Sequence, residues 1–68
     1  MRLKQSLKIG FAIKGGNQEL LAMYLDKTPA TISKYVSGKI DPPFSAILSM
    51  CEYFKVAVSE FAGWGETK

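Results

Sequence analysis

NQELLAMYLDKTPATISKYVSG, residues 17–38, reads as two short helices joined by a tight break and closed by a stop. Asn17 is a good N-cap, because its side-chain oxygen can accept from the free N–H groups of a first turn. Leu21, Ala22 and Leu25 then share one face at helical spacing. Asp26-Lys27-Thr28-Pro29 is the break, with Thr28 as the cap of a second helix and Pro29 at its first position, where no N–H is needed. Ile32 and Tyr35 recur on the inner side of that helix, and Gly38 supplies the left-handed residue that ends it.

Two helices this short, joined by so short a turn, must cross steeply. Ala22 is the residue that permits the close approach, since a larger side chain there would hold the second helix away. The outer face of the second helix carries Ala30, Thr31, Ser33, Lys34 and Ser37, all small, polar or basic. Such a face on a rigid helix suits the major groove of DNA.

The residues that carry a resemblance are Gln18 at the opening, Ala22 four residues on, Ile32 and Tyr35 at the later apolar positions, and Ser37-Gly38-Lys39 at the close. In these the stretch resembles the helix-turn-helix of the Cro/repressor-type DNA-binding family of bacteria and their phages. Asp26 stands where that family usually has glycine, and Lys27 where it often has a branched aliphatic residue. Asp tolerates a left-handed backbone better than most residues, and the Lys27 stem can cover apolar surface while its head reaches water. The resemblance implies an all-α, five-helix repressor-like domain with helices 2 and 3 as the motif. It extends over roughly Gln5 to Trp64.

Outward from the motif, Leu3, Leu7 and Phe11 fall at i, i+4, i+8, with Ile9 and Ile13 on an adjoining strip, and predict a first helix over Met1–Ile13. Gly10 inside it marks a close helix contact, because a mid-helix glycine otherwise costs about 1 kcal/mol. Gly15-Gly16 turns the chain toward Asn17. After Gly38, Pro42 and Pro43 stiffen a loop, with Pro43 in the first turn of the next helix. That core helix spans Phe44–Phe54, with Phe44, Ile47, Leu48, Cys51 and Phe54 on its inner face, and ends at Lys55. A last short helix runs from Ser59 to about Gly63, and Phe61 completes the core. The reading gives a domain over residues 1–64 and a flexible tail over 65–68.

Size and composition bound the function. At 68 residues, 47% hydrophobic and 22% charged, the chain is one small globular domain. No apolar run approaches the roughly 20 residues needed to cross a bilayer, and the start lacks a signal-peptide core. The expected home is therefore the cytoplasm of a bacterial host cell, near the nucleoid. The single Cys51 cannot form an internal disulfide, and without histidine no transition-metal site and no cofactor is expected. Cys51 reads as a buried structural thiol. The acids are scattered and the Ser and Thr residues lack a base, so an enzyme is not expected. The net charge of +3 permits nucleic-acid binding without proving it.

Function then follows from the resemblance: a sequence-specific binder of double-stranded DNA, in size like a phage Cro, repressing transcription as a dimer on a palindromic operator. Pro29 and Ala30 offer no side-chain hydrogen bond but can pack on a thymine methyl. Thr31 adds a methyl or a hydroxyl, and Lys34 is the long donor for guanine O6/N7. Gln18 and Lys39 are placed to meet phosphates, with Asn17, Thr28, Ser33 and Ser37 assigned to the same backbone. A weak homodimer, strengthened on DNA, is expected through Phe61 and Trp64. Trp64 keeps a second reading, as a lid folded back on the core. The alternative function is a protein-binding module, such as an antitoxin or anti-repressor, with exposed Trp64 and Phe44 as its partner surface.

Overall fold

The computed structural model describes residues 2–66. Its five helices are α1 (Leu3–Lys14), α2 (Gln18–Tyr24), α3 (Pro29–Ser37), α4 (Phe44–Phe54) and α5 (Val58–Glu66), and no strand occurs among the described residues. None of these helices is long and apolar enough to cross a membrane. α1 packs chiefly on α5, α2 on α3 and α4, and α1 also meets α3.

The local signals act as their chemistry requires. Asn17 accepts from the Leu20 N–H at 2.9 Å and Thr28 from the Thr31 N–H at 3.2 Å, so each motif helix starts on a side-chain cap. Pro29 opens α3 and Gly38, at φ 82°, ends it. Asp26 adopts a left-handed backbone at φ 58°, as its place in the break demands. The Lys27 N–H then reaches back to the Ala22 carbonyl at 2.8 Å. α4 ends the same way, with Lys55 at φ 59° and the Val56 N–H on the Cys51 carbonyl at 3.0 Å. Both helices thus stop in the six-to-one reverse bond that favours glycine, but here a side chain occupies the left-handed position.

Phe54 is the hub of the core. Its ring lies 5.5 Å from Phe11, 5.0 Å from Tyr53, 6.0 Å from Phe61 and 5.9 Å from Trp64. Gly10 is buried against it, and a Cβ at Gly10 would stand 2.8 Å from the Phe54 ring. The close contact expected at this glycine is therefore between α1 and the end of α4. Gly16 meets a similar constraint, since the Tyr53 hydroxyl occupies the space of a Cβ there. Leu7, Leu21, Ala22, Ile32, Tyr35, Ile47, Met50 and Cys51 fill the rest of the centre. Ser6 is buried too, and its hydroxyl donates to the Phe61 carbonyl at 2.8 Å, tying α1 to α5.

Several expectations need correction. Phe44 is 65% exposed and Leu48 lies at the surface, while Ala46 and Met50 take the inner positions of α4. Ile13, expected with Ile9 on the strip adjoining Leu3, Leu7 and Phe11, is exposed. Pro43 caps α4 from outside its first turn. α5 runs past Gly63 to Glu66, so Trp64 sits inside a helix and Gly65 is buried. Thr67 and Lys68 of the expected tail lie outside the described residues.

Phe61 is fully buried. Trp64 is half-buried with its ring 6.0 Å from Phe61. The Trp64 ring packs on the core as a lid would while part of it stays exposed, and Phe61 presents no surface to a second copy.

Candidate nucleic-acid interface

Ile32 and Tyr35 anchor α3 inward while Pro29, Ala30, Ser33, Lys34 and Ser37 are exposed and Thr31 is half-buried. The fully buried Ala22 and Leu21 lie beneath it on α2. α3 is therefore held by its inner face and capped at both ends, and it presents a convex surface with little side-chain bulk. Such a surface lets a helix enter the major groove deeply.

Phosphate oxygens only accept hydrogen bonds, so the donor protons decide which side chains can hold them. The Ser33 hydroxyl donates to Gln18 Oε1 at 3.3 Å, bridging α3 to the start of α2. The Ser37 hydroxyl donates to the Lys34 carbonyl at 3.3 Å. The Thr28 and Thr31 hydroxyls lie 3.0 Å apart and bond each other. The Ser33 and Ser37 hydroxyls are committed within the protein and would surrender a bond to reach DNA, whereas the Thr28–Thr31 bond spends only one of the two threonine protons. Beside that free threonine proton, the motif side chains keep for phosphate the ammonium groups of Lys34 and Lys39 and the NH2 groups of Gln18 and Asn17, whose oxygens already accept from Ser33 and the Leu20 N–H.

The sequence-assigned residues accordingly divide. Pro29, Ala30, Thr31 and Lys34 share the start and outer face of α3, with Ser33 and Ser37. Asn17 and Gln18 stand at the start of α2, linked to α3 through the Ser33 bond. Lys39 follows Gly38 and is exposed. Phe61 and Trp64 belong to the core and are not part of this surface.

Cys51 is buried at the centre of α4, and burial pushes its thiol pKa up, offset in part by a backbone hydrogen bond. The thiol form is favoured and the group is inert.

Two capped helices packed on each other, with Ala22 of the first fully buried and a small, polar and basic outer face on the second, define a DNA-binding helix-turn-helix protein. The sequence pattern of the helix-turn-helix family matches residues 13–61, and the chain belongs to that family, in its Cro/repressor-type branch. The match starts at the end of α1, short of the resemblance read from Gln5, and reaches Phe61 in α5. It covers most of the chain with a non-enzymatic DNA-binding domain. No curated protein and no solved structure matches the chain.

Proposed function

We propose that the protein is a small transcriptional repressor that binds a palindromic operator as a dimer in a bacterial cytoplasm and acts by occluding polymerase or a competing regulator. The observation that carries this reading is the outer face of α3, exposed and free of bulky residues but for Lys34. Pro29 and Ala30 pack on thymine methyls, Thr31 adds its methyl, and Lys34 reaches guanine O6/N7. The hydroxyl of Thr31 is the weaker half of that residue's contribution, because it already bonds Thr28. Lys39, Gln18 and Asn17 hold the sugar–phosphate backbone, with Thr28, Ser33 and Ser37 positioning these donors and α3.

Size supports a dimer. The Cα extents are 26 × 22 × 20 Å, and half-sites on one DNA face lie about 34 Å apart. Two copies fit side by side, and one alone reads too few base pairs to be specific. Selection of bound duplexes from a random pool tests the reading. A palindrome with thymine-rich outer steps and one invariant guanine further in is expected; enrichment of no sequence would overturn it.

One observation favours a second reading, as a protein-binding module of the antitoxin or anti-repressor kind. Phe44 and Leu48 lie one turn apart on α4 and are both exposed. Trp64, half-buried against Phe61, offers such a surface only part of its ring. Binding to duplex DNA that weakens steeply with salt separates the two, because an apolar protein interface responds little to salt.

A further inference from the structure

We propose that Lys4 and Lys8 of α1 contact the DNA backbone, so that α1 is a third DNA-binding element beside α2 and α3. The inference rests on the DNA-binding reading and extends it to residues that lie before the family match, which begins at residue 13.

Lys4 and Lys8 are one helical turn apart and both exposed. They line a single cleft with Leu7 and Phe11 of α1, Gln18 of α2 and Val36 of α3. Gln18 is the residue whose carboxamide is bonded to Ser33 on the exposed side of α3. The two lysines therefore border the part of the motif assigned to phosphate, across a floor made of Leu7, Phe11 and Val36. The cleft is lined by no carboxylate, so nothing in it neutralises the two ammonium groups.

Charge along the chain agrees. Residues 1–18 hold four basic residues (Arg2, Lys4, Lys8 and Lys14) and no acid, whereas residues 40–66 hold four acids (Asp41, Glu52, Glu60 and Glu66) and one Lys, Lys55. A polyanion approaching the α1–α3 side meets the positive half of the molecule. The long, flexible lysine stems reach beyond the apolar floor while their heads stay in water. These contacts hold phosphate and carry no sequence information.

The test is the salt dependence of operator-duplex binding for three proteins: wild type, Lys4→Ala/Lys8→Ala, and Arg2→Ala/Lys14→Ala. The last pair removes the same charge from the same helix at positions that do not line the cleft. Each phosphate contact contributes about 0.9 to the slope of log K against log salt. The Lys4/Lys8 variant should lower the slope magnitude by about two and leave the sequence preference unchanged, and the Arg2/Lys14 variant by less than about half a unit. Exposed lysines leave the fold intact, which an unchanged thermal melt confirms. Equal slopes for the two variants would overturn the proposal, since the effect would then be bulk charge. A wild-type slope near zero would instead overturn the DNA-binding reading on which it rests.

Discussion

At the residue scale, specificity is concentrated in few atoms. Lys34 is the one long donor on the exposed face of α3, so Lys34→Ala should cost about 1–3 kcal/mol of operator binding and relax preference at one guanine only. Fluorescence anisotropy against a set of single-base operator variants measures this, and retained preference at every position would contradict it. Replacing the outer thymine by uracil removes only a methyl, and weaker binding is expected where Pro29 or Ala30 packs on it. The thiol offers a structural check: Cys51, 4% exposed with its pKa pushed up by burial, should react with a thiol reagent only as fast as the protein opens. Rapid modification of the folded protein would show the core to be looser than described. Much at this scale was legible from sequence, because caps and left-handed residues follow local chemistry. Asn17, Thr28, Asp26 and Gly38 each act as their side chains imply. Ser6 was not legible: its bond to the Phe61 carbonyl spans 55 positions, and nothing local announces it.

At the scale of elements, two left-handed residues, one tight glycine and one buried alanine carry the predictions. A left-handed backbone costs a residue with a Cβ about 1–2 kcal/mol, less for Asp. Lys55→Gly should therefore raise the melting temperature by several degrees, and Asp26→Gly by less. A fall in melting temperature for Lys55→Gly would mean that its side chain contributes more than its backbone strains. Gly10→Ala gains helix propensity of about 1 kcal/mol, but its methyl would meet a Phe54 ring fenced by Phe11, Tyr53, Phe61 and Trp64. Overpacking of about 1–3 kcal/mol should win, and the melt should shift down. Ala22→Leu should destabilise by a similar amount, as Ala22 is fully buried between the motif helices.

The two helices whose sequence misled did so for different reasons. α4, FSAILSMCEYF, is apolar around most of its circumference, so spacing alone cannot choose between Phe44 with Leu48 and Ala46 with Met50. In α5 the glycines beside Trp64 read as a break, yet Phe61 and Trp64 sit three apart and both pack on Phe54. Tertiary contact overrides the weak propensity of Gly63 and Gly65.

At the scale of the whole molecule, the fold separates its charges and its tasks. The core gathers on Phe54 and commits Phe61 and Trp64 to stability. Residues 1–39 hold seven of the nine basic residues, and most of the acids fall in the last two helices and the loop before them. A domain so divided should approach DNA in one orientation, positive side first. The most direct measurement of that claim is a titration of wild-type protein into operator duplex at several salt concentrations between about 50 and 200 mM. With Lys4, Lys8 and Lys39 each on a phosphate, log K should fall linearly with log salt with a slope near −3 per bound copy. An affinity that does not change across that range would contradict the account.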